Sequence, residues 1–148
     1  GKAYIRQNMN NNLKFIDICI GDKQTVRTTI SDEDLDNFIS ISGDKSAIHT
    51  SENEALNRGF KSRVVHGALI ISKVSTIIGT KLPGDSALIL DIKFKFLKPL
   101  HPNQEIVINA VVKEKHESVG CLTLDLKVNE VEKNTKIASG KALVNVSH

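Results

Sequence analysis

The chain has 148 residues, 20 lysines and arginines against 17 aspartates and glutamates, a net charge of +3, 40% hydrophobic residues and 4% aromatics. That size and apolar content support one domain with one ordinary core. No run approaches the roughly 18 apolar residues of a membrane span, and scattered lysines without tryptophan argue against a nucleic-acid stacking surface. Cys19 and Cys121 are far apart and form no metal or redox spacing, so they read as two reduced, buried thiols. With no apolar signal core near the N-terminus, the chain is expected in the cytoplasm.

In chain order, residues 1–12 are polar, asparagine-rich and aperiodic. They are expected to form a disordered segment, residues 1–8 reading as an added leader ahead of Met9, with a single domain over 13–148. Gln24 to Ile30 reads as a β-branched strand. Ser31 is a helix N-cap, followed by Asp32, Glu33 and Asp34 at the positive end of the helix dipole. Leu35, Phe38 and Ile39 recur at helical spacing up to Ser42-Gly43, and a short second helix is expected from Ser51 to Asn57, closed by Gly59. From His66 to Gly79 the apolar residues cover a wide arc, which places that helix in a core, and Leu82-Pro83-Gly84 turns the chain after it.

The second half changes period. Leu88, Leu90, Ile92, Phe94 and Phe96 alternate, as do Ile106 to Val112, Leu122 to Val128 and a shorter run of Ala142, Val144 and Val146. Period two means four strands, each with one buried face, and their short connections favour antiparallel neighbours. One strand, then helices including a long apolar one, then four strands describe an α+β protein. Its antiparallel sheet wraps a central helix, which is the hotdog layout. The long edge strands of such a sheet favour pairing with a second copy, so a homodimer or a dimer-based oligomer is expected.

Between the helices, Asp44 and His49 stand in a loop whose Gly43 supplies backbone freedom, so both can turn into one pocket. An acid and an imidazole together can take a proton from water and give one to carbon. His66-Gly67 opens the apolar helix, and free N–H groups at such an end suit developing negative charge. Gly67 offers close approach to a carbonyl, or equally a tight helix–sheet contact. Neither a metal-ligand cluster nor a dinucleotide fingerprint is present, so no metal or cofactor is expected.

Phe38, Ile41, Ser42, Gly43, Asp44, Ile48, His49 and Ala55, with Val65-His66-Gly67, Leu82-Pro83-Gly84 and FKFLKPL from Phe94 to Leu100, resemble the MaoC-like dehydratases, the (R)-specific enoyl-CoA hydratase family. The resemblance runs from roughly Gln24 to Val146. It implies that Asp44 and His49 activate the water that adds to C3 of a trans-2-enoyl thioester and exchange the proton at C2, leaving open which takes and which gives. It further implies that the Gly67 N–H holds the thioester carbonyl and that Ser75 supports the active-site loop; bonding of Ser75 to its own helix backbone is the alternative. His66 would order the helix start. Where the family has Asn-Pro between the catalytic pair this chain has Ser46-Ala47, and Ser46 is expected to replace the asparagine amide only in part. His101, His116 and His148 read as solvated.

The implied activity is reversible hydration of a trans-2-enoyl-CoA to the (R)-3-hydroxyacyl-CoA. The alternatives are a 3-hydroxyacyl dehydratase acting on acyl carrier protein, and a hotdog module that binds acyl thioesters without turnover; a thioesterase is disfavoured by the paired His49. CoA against carrier protein, chain length and pathway are not legible in the residues, nor are those that hold the CoA nucleotide.

Overall fold

The computed structural model describes residues 10–147. Residues 1–9 and His148 lie outside the described residues, and with them most of the expected leader and the reading of His148. The elements are β1 (Lys23–Thr29), α1 (Asp32–Ser42), α2 (Ala47–Thr50), α3 (Glu52–Asn57), α4 (Gly67–Thr80), β2 (Ala87–Phe96), β3 (Glu105–His116), β4 (Cys121–Glu130) and β5 (Thr135–Val146). The five strands form one antiparallel sheet in the order β1-β3-β4-β5-β2, with α4 against its inner face. This is the expected α+β hotdog layout.

Local chemistry accounts for the helix boundaries. At α1 a capping box is complete, with the Asp34 N–H donating to Ser31 Oγ and the Ser31 N–H to Asp34 Oδ2, both at 3.0 Å. Its other end stops at Gly43, where φ is +72°, a left-handed value that side chains resist. Helix α4 buries Leu69, Ile70, Val74, Ile77 and Ile78, each worth about 1.5–3 kcal/mol of apolar transfer. They meet the inner residues of β3 and β4: Ile106, Ile108, Ala110 and Val112, then Leu122, Leu124, Leu126 and Val128, all buried as their alternation requires. Among the described residues no helix is long and apolar enough to cross a membrane.

Several expectations need correction. Asn10, Asn11 and Asn12 belong to the fold: the Asn11 N–H donates to Thr80 O at 2.8 Å, its Nδ2 to Lys81 O at 2.7 Å, and its carbonyl accepts from Asp85. These bonds satisfy carbonyls that the end of α4 leaves open. In β2 the strict alternation fails, because a bulge between Ile89 and Asp91 switches phase. Leu88 and Leu90 thereby face outward, 60% and 53% exposed, while Ala87, Ile89, Ile92 and Phe94 pack on the core and Phe96 stays half exposed. The final strand is longer than its apolar run, since it also carries the buried Ile137 and Ala138. Cys19 is exposed on the turn before β1; only Cys121 is buried. His101 is buried, its Nδ1–H donating to the Arg63 carbonyl at 3.0 Å, and the half-buried His116 bonds Thr123 Oγ1 through Nε2 at 2.8 Å.

Gly140 faces Phe94 across the β2–β5 pair, and a Cβ there would strike the Lys93 carbonyl and the Phe94 ring. Gly140→Ala is therefore expected to force β2 off β5 and to cost about 1–3 kcal/mol, read as a lower urea midpoint with little change in slope.

Candidate active site

The acid-bearing loop is built by short-range bonds. After Gly43, the Asp44 N–H donates to Ser42 Oγ at 3.1 Å. Asp44 Oδ1 then accepts twice from Ser46, from its hydroxyl at 2.7 Å and its N–H at 3.2 Å. Of the two donors only the hydroxyl belongs to the side chain, since any residue but proline would offer the N–H. The Ser46 hydroxyl, then its N–H, holds the Asp44 carboxyl below the usual carboxylate range, with the His66 and His49 rings adding a smaller pull.

His49 sits on α2, one helical turn from Ser46. Its Nδ1 lies 2.6 Å from the Val64 carbonyl, which can only accept, so Nδ1 carries the proton and Nε2 keeps a free lone pair. His66 lies under it, only 2% exposed. The two imidazoles stack at 3.7 Å between centroids and 19° between planes, and Phe38 also lies against His66, tilted at 60° with centroids 4.9 Å apart. The His66 Nε2–H donates to the Asp44 carbonyl at 3.1 Å, and Nε2 lies 3.8 Å from Asp44 Oδ2. His66 Nδ1 is the one buried side-chain polar atom without a partner among the described residues. His66 orders more than the start of α4, because it ties that helix to the acid loop and to the base together.

Arg63 secures this segment from outside. Its Nη1 meets Asp36 Oδ1 at 2.7 Å and its Nη2 meets Asp32 Oδ1 at 3.1 Å, with the side chain only 13% exposed. Asn103 adds a bond to Asp32 Oδ2 at 2.9 Å; Asn103 first, then Arg63, lowers the Asp32 pKa. The Val64 N–H donates to Ile48 O and the Val65 N–H to Leu100 O, so residues 63–66 are strung between α2 and the loop after β2.

Asp44, His49 and His66 each offer a ligand atom within 4.8 Å of the others, which raises the question of a metal ion. The stack answers it. An imidazole nitrogen offers its lone pair in the ring plane, and stacked rings with centroids 3.7 Å apart and planes 19° from parallel aim those lone pairs side by side, not at one point about 2 Å from both nitrogens, the reach of a zinc ion. The trio fits proton transfer better than metal ligation.

His49 and Gly67 line one cleft of about 290 Å³, otherwise walled mainly by apolar groups including Val65, Ile70, Phe96 and Leu100. The Gly67 N–H finds no acceptor among the described residues. A Cβ at Gly67 would lie 2.7 Å from Phe96 Cζ, so the glycine also admits that ring; the two readings of Gly67 are compatible. The Asp44 side chain, 47% exposed, stands at the rim and not in the cleft lining. Ser75 is half-buried midway along α4, eight residues or about 12 Å from Gly67, with no side-chain bond to the loop or to its own helix among the described residues. The roles of Arg63, Val64 and Phe96 escaped the sequence reading. Arg63 and Val64 directly precede Val65-His66-Gly67, and Phe96 lies within FKFLKPL, where its ring's place against Gly67 leaves no local signal.

Comparison with known proteins bears on family and fold. The family model described as a MaoC like domain matches residues 20–135. A 3-hydroxybutyryl-CoA dehydratase of Methylorubrum extorquens is 30% identical over 102 residues, 69% of this chain and 65% of that protein. An (R)-specific enoyl-CoA hydratase of Rhodospirillum rubrum is 32% identical over 98 residues, 66% of this chain and 68% of that protein. The chain thus spans about two thirds of the length of these relatives. Among solved structures, an unliganded R-hydratase from Pseudomonas aeruginosa superposes with a TM-score of 0.86 at 24% identity, covering 95% of this chain and 88% of that one, a likeness of fold.

Because the bonds from Ser46 lower the Asp44 pKa, the carboxylate is ionised throughout the range above the ordinary aspartate value. It takes up its proton only as pH falls through the lowered one. Ser46→Ala should move that midpoint upward, followed as the Asp44 carboxyl carbon shift in an NMR titration; an unmoved midpoint would contradict the role given to Ser46.

Proposed function

The chain belongs to the MaoC-like domain family, and from that membership we propose that it is a hydro-lyase adding water across the double bond of a trans-2-enoyl thioester to give the (R)-3-hydroxyacyl thioester, and running the reverse. The observation that carries the reading is the grouping of His49, whose Nε2 is free, with Asp44, a ring nitrogen and a carboxylate oxygen lying within 4.8 Å of each other at the rim of a cleft that also presents the unpaired Gly67 N–H.

In this reading the acyl chain lies along the apolar cleft with its thioester carbonyl at the Gly67 N–H. A water at the rim donates one hydrogen to the Asp44 carboxylate and the other to His49 Nε2. Its oxygen bonds C3, the C2–C3 π electrons move toward C2 and the carbonyl, and the Gly67 N–H stabilises the enolate; such a donor contributes about 3 kcal/mol to a transition state. The O–H bond of the water breaks, its proton is carried across the pair, and a C–H bond forms at C2, so one water supplies both added groups. Asp44, held below the usual carboxylate range, is a poor proton holder, which supports His49 Nε2 as the carrying atom in this reading. The stack on His66 keeps that ring in place while its charge changes, and imidazolium over an aromatic face is a favourable contact.

The direct test is loss of enoyl absorbance with crotonyl-CoA and chiral analysis of the product. Asp44→Asn and His49→Gln should each lower kcat by about 10²–10⁴-fold with the fold intact by circular dichroism. Thiol release without hydration would mark a thioesterase, and binding without turnover a silent acyl-thioester module; either overturns the proposal. A second prediction concerns Gly67. Gly67→Ala should displace the Phe96 ring and reduce kcat/KM, and Phe96→Leu in the same chain should restore most of it, since the smaller side chain makes room for the Cβ.

A further inference from the structure

The outer face of the sheet, turned away from α4 and the cleft, carries a groove that the site does not use. The strand registers set two rows of side chains across it. One runs from Lys93 through Lys141 and Asp125 to Val111 and Lys23, the other from Lys95 through Ser139 and Lys127 to Asn109 and Thr25. Between the rows, Phe94 and Leu126 turn their side chains inward on either side of Gly140, so the floor there is backbone. One hollow of about 500 Å³ lies over β2, β5 and β4, and a second of about 330 Å³ over β4, β3 and β1. They share Asp125 and Lys127 and so form one groove. Two residues of strand rise separate its banks, about 7 Å, and five adjacent strands make it about 19 Å long.

Lys23, Lys93, Lys95, Lys113, Lys127 and Lys141 line the groove, all exposed, and Asp125 is its one acid among the described residues. Lys93 and Lys141 reach Asp91 and Asp125 only at 3.9 Å, and the other four form no ion pair among the described residues. Lys93 also stands directly opposite Lys141, and like charges so placed destabilise a strand pair. Unbalanced positive charge on both banks suits an anionic chain. The width selects among such chains: about 7 Å gathers charge around one extended strand, not around a duplex or a flat bilayer. No aromatic side chain stands in either row for bases to stack on, which disfavours single-stranded nucleic acid. The lysine stems instead offer apolar contact to the side chains of a peptide. We propose that this groove binds an extended acidic peptide segment of a partner protein. Lying on the face opposite the cleft, it holds that partner without competing with a thioester.

Fluorescence anisotropy of the full chain with a labelled peptide of about eight residues, alternating glutamate and serine, tests this. The peptide should bind saturably, one per chain, and its glutamine-serine counterpart should not bind. Lys95→Gln/Lys127→Gln, which breaks no ion pair, should weaken binding about tenfold through lost charge-assisted bonds. Lys61→Gln/Lys81→Gln, which removes the same charge from exposed positions outside the groove, should leave affinity unchanged. In NMR spectra the bound peptide should shift the amides of Phe94, Leu126 and Gly140 and leave those of His49 and Gly67 in place. Absence of saturable binding, equal binding of the uncharged peptide, equal losses in the two lysine pairs, or amide shifts away from the outer face would each overturn the inference. Tighter binding of oligothymidylate or of phosphatidylglycerol vesicles, with the same dependence on Lys95 and Lys127, would overturn it too, giving the groove to nucleic acid or to a membrane. None of these readouts depends on hydration of crotonyl-CoA, so either reading can fail while the other stands.

Discussion

The site depends on one buried ring. His66 joins three pieces of chain: it caps the start of α4, gives its Nε2–H to the carbonyl of Asp44, and stacks beneath His49. With one nitrogen on a carbonyl and the other enclosed without a partner, its tautomer is fixed by its surroundings. A ring packed against both Phe38 and His49 cannot turn without breaking the bond to Asp44. Asp44 and His49 are thereby spaced by a common support.

Around that ring, the charged groups divide their work by position. The exposed Asp44 is kept ionised by bonds from its own neighbour Ser46, a local device that needs no burial. Arg63 does the opposite: it is largely enclosed and holds α1 to the loop through two carboxylates, while its own carbonyl accepts from His101. The first arrangement sets a protonation state and the second sets a geometry. Asp44, Ser46 and Arg63 all stand outside the cleft lining, behind His49 and Val64.

Much of the fold was legible because each central element shows one face to water. Strands β3 and β4 and helix α4 carry their burial in their periodicity, and the buried residues are those the alternation picks out. Strand β2 misled for a physical reason. It is an edge strand with apolar residues on both faces, and its bulge inserts one residue that no pattern announces. At the site, Asp44, His49 and Gly67 were readable because their motifs are compact. The contacts that hold them were not: His49 reaches Val64 across 15 positions and Arg63 reaches Asp32 across 31, and separations of that length leave no trace in a local pattern.

The strand order has a consequence for how the chain acquires its structure. β1 lies at one edge and its only partner is β3, with Lys23 opposite Val111, on the order of 80 residues later. During synthesis at about 5–20 residues per second, an interval on the order of ten seconds separates the emergence of β1 from that of its partner. Through it the apolar face of α4 has no sheet to cover it, since all four strands that form its floor are still to come. The nascent chain therefore presents its most aggregation-prone surface before it has the means to bury it. Its yield in the cell is governed by what shields that helix on the ribosome as well as by the stability of the finished sheet.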